Sequence, residues 1–265
     1  MAAIISPQAF VHPEAHVGNN VQVHPFAYID ANVEIGDNTI IRAHASILSG
    51  ARIGRDNVIY EGAVISATPQ DFRWKGCDSF VRIGNKTVIR EHVIINRSIY
   101  KDGMTSVGSN SFIMAQTHIG HDSVIGNYCV LGNAVKIAGD VRIGNYSILS
   151  SNALVHEGYN IGEWVLIKGG TRVNGNVPPF CIMAHNPITY SGVNAFVMRK
   201  GKKTDQLIDD IAQCYRHIYQ SNTSVFNALR RIEIDIPSSP ERDQVLDFIR
   251  SHDLKLAAVK QDIFD

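Results

Sequence analysis

The run from Ile113 to Ala138, I-M-A-Q-T-H-I-G-H-D-S-V-I-G-N-Y-C-V-L-G-N-A-V-K-I-A, decides how the rest of the chain is read. Ile113, Ile119, Ile125, Leu131 and Ile137 stand six residues apart, often with glycine next. The same spacing runs from Val11 through Val23, Ile35 and Ile47 to Ile65. It resumes at Ile83, Ile89 and Ile95, and again from Val107 to Val173. Four residues after each aliphatic the side chain is usually small or β-branched, as at Ala27, Thr39, Ala45, Ser123, Ala153 and Thr171.

A period of six fits neither the 3.6 residues of a helix turn nor the alternation of a hairpin sheet. Three six-residue sides closing a triangular coil would send one aliphatic side chain per side into a shared core. Coils repeated in this way stack as parallel strands about 4.8 Å apart, so residues eighteen apart lie above one another. Glycine and asparagine are expected at the corners, where positive φ is tolerated. The fold class is therefore mainly β, a parallel β-helix of hexapeptide repeats.

Two polar stretches break the rhythm, Ser66 to Arg82 and Asn96 to Ser106. They read as loops projecting from the solenoid, the places where binding residues concentrate. V-P-P-F, from Val177, is expected to end the repeat, because proline cannot donate to a strand ladder. From about Asn194 the pattern turns helical. Leu207, Ile208, Ile211, Ala212, Tyr215, Ile218 and Tyr219 form a stripe behind a cap at Thr204, and Ser238-Ser239-Pro240 opens another helix through Val245, Phe248 and Ile249. The expected division is a β-helix over residues 1–190 and a small α-helical domain over 191–265.

Twenty-five basic and twenty-five acidic residues leave no net charge, so a general nucleic-acid binder is not expected. Cys77, Cys129, Cys181 and Cys214 form no C-x-x-C pair and read as free thiols in a reducing compartment. The amino terminus lacks a basic and apolar leader, and no stretch is long enough to span a bilayer, so a cytoplasmic protein without a membrane span is expected.

Stacking by eighteen places His121, Gly139 and Glu157 in one outer column. A general base beside a backbone N–H suits acyl transfer, in which one group removes a hydroxyl proton and the other holds the oxyanion. Asp122 is placed to orient the imidazole. Against this stands the reading of His118 and His121 as two surface histidines among eleven. A zinc reading draws on His92, His118, His121 and His156, but no three-histidine spacing matches it, and no metal is expected. The basic run Arg199-Lys200-Gly201-Lys202-Lys203 would suit an acidic carrier protein or a phosphate.

The repeat resembles the left-handed hexapeptide-repeat proteins. The hand comes from that resemblance alone, since the general rule for parallel crossovers favours the right. More closely, H-P-x-A-x-V near the start, P-Q-D-F-R in the first loop, I-R-E-x-V-x-I, M-A-Q-T-H-I-G-H-D-S-x-x-G-N, V-P-P-F and G-V-N resemble the acyl-carrier-protein-dependent UDP-N-acetylglucosamine O-acyltransferases of lipid A synthesis.

The resemblance implies a homotrimer with clefts between neighbouring solenoids, an acyl carrier protein as donor, a UDP-amino sugar as acceptor, and neither cofactor nor covalent enzyme intermediate. It implies His121 as general base, Gly139 as oxyanion donor and His118 as a substrate contact. Asp71 and Arg73 would touch the nucleotide-sugar, with Arg73 replacing the usual lysine. His156 and Glu157 would lie near the acyl and sugar site, Asn194 is the family's asparagine, and Arg199 and Lys200 would meet phosphate. Gly169 would limit acyl-chain length.

The departures gather on the acceptor side. Asn96 and Asp140 replace histidines, Glu157 replaces glutamine, A-F-V after Asn194 lacks a glutamate, and Lys168 replaces a glycine. The extra carboxylates Asp140 and Glu157 would favour a 3-amino acceptor over the 3-hydroxyl. Two alternatives stay open: a related sugar N-acyltransferase using acyl carrier protein or coenzyme A, and a scaffold without catalysis.

Overall fold

A computed structural model describes residues 2–258. Short parallel strands build three long sheets that wrap one core. The first sheet runs from Ile4–Ile5 to Leu166–Ile167, the second from Phe10–Val11 to Arg172–Val173 and the third from His16–Val17 to Asn160–Ile161. Each coil crosses the three in that order.

The six-residue aliphatics fill the interior, and Ile29, Ile41, Ile89, Ile113, Ile119 and Leu131 are fully buried. The small residues four positions later are buried too, and most of their hydroxyls are paired, Thr171 Oγ1 being the exception. Thr87 Oγ1 donates to Gly108 O at 2.7 Å, Ser123 Oγ to Ala138 O at 2.9 Å and Ser147 Oγ to Gly162 O at 2.8 Å, each reaching a carbonyl of the next coil. A buried hydroxyl without such a partner would cost stability.

The corners differ from expectation in one respect. Positive φ falls three residues after the aliphatic, at Asp122 (60°), Tyr128 (57°), Ala134 (57°) and Asp140 (56°), and many residue types take it. The glycines directly after the aliphatics serve close stacking instead. A Cβ on Gly108 would stand 2.5 Å from Gly126 O, far inside contact distance.

Register holds at eighteen for most coils, as in Ile119↔Ile137 and Leu131↔Leu149. The two interruptions shift it. Ile59 pairs with Ile89, a spacing of 30, and Ile89 with Ile113, a spacing of 24. Both inserts are shorter than their polar composition implied, because Phe80–Ile83, Ile94–Asn96 and Met104–Val107 are strands of the ladders. Asn96 is buried and donates to Thr68 O at 2.7 Å, tying the base of the first insert to the second.

The prolines do not end the solenoid. After Val177, Pro178 and Pro179, Cys181–Ala184 adds one more parallel strand on Leu166–Ile167, and Thr189–Val193 returns antiparallel to it. Four helices follow: α1 (Ala195–Lys200), α2 (Asp205–Tyr219), α3 (Val225–Asp235) and α4 (Pro240–Ser251). Thr204, Ser224 and Ser239 cap the last three with side-chain oxygens. The sequence reading contained no α3. Its buried stripe is only Ala228, Leu229 and Ile232. Tyr215 anchors α2 by donating its hydroxyl to Pro179 O.

All four cysteines are free, and burial pushes the Cys129 thiol up to about 11 and that of Cys214 to about 12, which makes both unreactive. No helix among the described residues is long and apolar enough to cross a membrane.

Close stacking makes a testable demand. Gly108→Ala should lower the unfolding free energy by about 1–3 kcal/mol in urea denaturation, the range for forcing an atom into a packed site. Unchanged stability would show that the coils have room to spare.

Candidate active site

His118–Ile119 lies on the second sheet and Val124–Ile125 on the third, so His121 and Asp122 form the corner between them. Ile119 pairs with Ile137 and Ile137 with Val155, which stacks His121 under Gly139 and Glu157. The imidazole leans over Gly139. A Cβ there would lie 2.3 Å from Cε1 and 2.4 Å from Nε2, so the ring owes its position to the missing side chain. Gly139 O accepts from Gly158 N–H, while the Gly139 N–H donates to no protein group among the described residues.

His121 is 7% exposed. Its Nδ1 lies 2.9 Å from Asp122 Oδ2, so the ring donates there and keeps Nε2 for chemistry. Nε2 faces Asp71 Oδ2 at 3.3 Å. Asp71 comes from the first insert and is held by Arg73, whose Nη2 lies 2.7 Å from Asp71 Oδ2 and 2.6 Å from Glu157 Oε1. Those Arg73 hydrogen bonds hold the Asp71 carboxyl well below the usual carboxylate range. Asp71, His121 and Glu157 present atoms within 4.8 Å of one another. The Arg73 guanidinium lies among them as the counter-charge. His92, His118 and His156 join no such group among the described residues.

Burial, and then Lys136 and His121, lower the His118 imidazole below its ordinary value, so it faces the site neutral. Burial, together with the charges of Asp122 and Glu157, raises Asp140. Glu157 is already paired with Arg73. Of the two extra carboxylates expected on the acceptor side, Asp140 and Glu157, the second thus meets a cation of its own chain.

The remaining candidates lie elsewhere on the protomer. Lys168 and Gly169 follow Leu166–Ile167 and sit on the corner between the first and second sheets. Asn194 is buried and donates to Trp164 O at 2.9 Å, on the corner between the third and first sheets. Arg199 pairs with Asp205 at 2.8 Å and Lys203 with Glu241, so the basic run is partly neutralised at the end of α1. Three corners thus carry three sets of candidates. His156 lies one residue before Glu157 in the His121 column and is half-buried.

Sequence reasoning missed what holds Asp122. Ser98 Oγ donates to Asp122 Oδ1 and Ile99 N–H to Oδ2 at 3.1 Å, while Asp122 N–H donates to Thr105 Oγ1 at 2.7 Å. The shift of 24 across the second insert puts Ser98 directly under Asp122, and nothing in the residue pattern marks that contact.

Residues 176–256 match a family model described as UDP N-acetylglucosamine O-acyltransferase, domain 2. Residues 14–49, 32–67 and 104–139 match the bacterial transferase hexapeptide model. The acyl-[acyl-carrier-protein]–UDP-N-acetylglucosamine O-acyltransferase of Halorhodospira halophila is 39% identical over 246 residues, 92% of this chain and 95% of that one. A protein of the same name from Synechocystis is 35% identical over 180 residues. That match covers 68% of this chain and 65% of the relative, slightly under two thirds of its length. The solved structure of a UDP-N-acetylglucosamine acyltransferase from Bacteroides fragilis superposes with a TM-score of 0.93 at 44% identity, covering 97% of this chain and 100% of that one. With the hexapeptide matches, this makes the solenoid a left-handed β-helix.

The Arg73 bridge predicts a specific dynamic effect. Arg73→Ala should speed amide hydrogen exchange over residues 68–79 several-fold and leave the solenoid strands unchanged. Equal exchange in the variant would mean that the first insert is held by other contacts.

Proposed function

The chain belongs to the acyl-[acyl-carrier-protein]–UDP-N-acetylglucosamine O-acyltransferases, and from that premise we propose that it moves a 3-hydroxyacyl group from the carrier-protein thioester to the 3-hydroxyl of UDP-N-acetylglucosamine. The observation that carries this reading is the Asp122–His121 pair with its ring over Gly139, whose N–H has no protein partner among the described residues.

In this reading the acceptor displaces Asp71 from the face of His121. Nε2 takes the hydroxyl proton while the oxygen forms its bond to the thioester carbon. The carbonyl electrons move to oxygen, where the Gly139 N–H holds them. On collapse the carbon–sulfur bond breaks, and the imidazolium returns its proton to the leaving thiolate. Asp122 stabilises the imidazolium throughout, and Asp71, still close by, adds a second negative charge. Neutral His118 is left to hydrogen-bond the substrate.

The three separate corners support a homotrimer, because His121, Gly169 and Asn194 lie on three different corners of one protomer. The outward side chains of the first sheet support it too. Ile40, Val58, Val88, Phe112, Val130 and Ile148 form a continuous apolar strip, whereas the third sheet presents Glu34, Arg52, Arg142 and Asn160. In the trimer we propose, the second–third corner of one protomer shares a cleft with the first–second corner of its neighbour, with Gly169 bounding the acyl groove and Asn194, Arg199 and Lys200 closing the nucleotide end. We place the reaction in the cytoplasm, where acyl carrier protein would dock on the basic run.

A 3-amino acceptor is the second reading, favoured by Asp140, a carboxylate near the base without a salt-bridge partner among the described residues. Measuring kcat/KM for the hydroxy and amino acceptors separates the two.

Incubation of the purified protein with 3-hydroxyacyl carrier proteins and UDP-N-acetylglucosamine should yield an acylated nucleotide-sugar by mass spectrometry. His121→Ala should reduce the rate by roughly 10²–10⁴-fold with an intact trimer. Wild-type rates in that variant would reject the general-base assignment, and no product with any acyl chain or either acceptor would reject the function.

A further inference from the structure

We propose that Ser98 is a positioning residue, and that the turn at Ser98–Ile99, opening the second insert, is a carboxylate clamp that fixes Asp122 and through it the catalytic imidazole. The inference rests on His121 as the base of the proposed reaction. The base itself is not the new element; the clamp beneath it is.

Ile95 pairs with Ile119, a spacing of 24, so the corner residue three beyond each aliphatic is Ser98 on one coil and Asp122 on the next. The chain then departs for the extra residues and returns at Met104–Val107. Ser98 is fully buried, and the side chain of Asp122 is 12% exposed. Asp122 divides its oxygens cleanly. Oδ1 accepts from Ser98 Oγ–H, while Oδ2 accepts from Ile99 N–H and from His121 Nδ1–H.

The hydroxyl of Ser98 is itself aimed, because it accepts Tyr100 N–H at 2.9 Å. Its carbonyl takes the Ser79 hydroxyl at 2.6 Å, which locks the turn to the exit of the first insert. Space for it is made by Gly103, where a Cβ would stand 2.2 Å from Ser98 Oγ. A passive surface excursion needs none of these provisions.

The physical consequence is orientation. A carboxylate this enclosed must have its oxygens paired, and with three donors it has one rotamer. That rotamer puts Oδ2 opposite Nδ1, which assigns the ring proton to Nδ1 and leaves Nε2 to receive the acceptor's proton. Without the Ser98 hydroxyl the carboxylate is free to turn, and the correct tautomer is held only part of the time. The groups facing the ring from other elements, Asp71, Glu157 and His118, carry no contact to Nδ1 and do not replace the clamp.

The test compares wild type, Ser98→Ala, Ser98→Cys, Asp122→Ala and the Ser98→Ala/Asp122→Ala double variant in the full-length protein. Ser98→Ala should lower kcat by about tenfold, less than the loss of a base itself, with KM for the nucleotide-sugar within about twofold. Ser98→Cys, which keeps a weak donor, should fall between. Adding Ser98→Ala to Asp122→Ala should change nothing further, since the hydroxyl acts only through that carboxylate. In ¹⁵N-histidine spectra, the Nδ1–H tautomer of His121 should lose population in Ser98→Ala. A fully additive double variant, or unaltered His121 ¹⁵N shifts in Ser98→Ala, would overturn the inference. Because those spectra need no turnover, a wild-type protein without acyltransferase activity would sink the functional reading while the clamp is still decided by the tautomer.

Discussion

A strand ladder in which each coil lies about 4.8 Å above the last leaves little freedom to anything on it. Once three short sides close into a coil, every inward side chain meets the side chain one coil away. The aliphatics at 0–4% exposure along the axis are the favourable side of that constraint. The unfavourable side is polar: each corner brings carbonyls inward, and they need donors. Thr39, Thr87, Ser123 and Ser147 supply them, each reaching a carbonyl of the coil that follows. The outside inherits the same register. His121, Gly139 and Glu157 share a column because Ile119, Ile137 and Val155 do.

Perfect repetition would give a scaffold with identical corners, so the candidate site lies where repetition fails. The first insert carries Asp71 and Arg73 back over the His121 corner, and the second places Ser98 and Ile99 beneath Asp122. The two inserts are also tied to each other, through Asn96 to Thr68 O and Ser79 to Ser98 O. Rigid coils on either side fix where the inserts begin and end. Their short contacts then fix the imidazole from above and below, an arrangement that a repeat alone could not provide.

This division explains what the sequence made legible. The parallel coil, its core and the His121–Gly139–Glu157 column follow from period alone, because a packing rule repeated along most of the chain leaves a periodic trace. The helices α2 and α4 announced themselves through caps at Thr204 and Ser239 and wide apolar stripes, whereas α3 buries too narrow a stripe to stand out from loop sequence. Proline misled the reading at Val177-Pro178-Pro179, since the chain crosses from the third sheet to the first there and resumes pairing at Cys181. The clamp on Asp122 was not legible for a different reason. It depends on one hydroxyl whose partner is 24 residues away, and a serine in a polar loop carries no mark of that contact.

Charge gives the acceptor-side departures a common meaning. Taken one at a time, arginine for lysine at 73 and glutamate for glutamine at 157 look like independent drift from the pattern the chain resembles. In the fold they are one unit. A guanidinium presents a planar fork that serves Asp71 and Glu157 together, which a single ammonium does poorly. The extra negative charge of Glu157 thus arrives with a cation shaped to meet it. Asp140 has no such partner among the described residues, and its carboxyl is raised by burial and by neighbouring carboxylates.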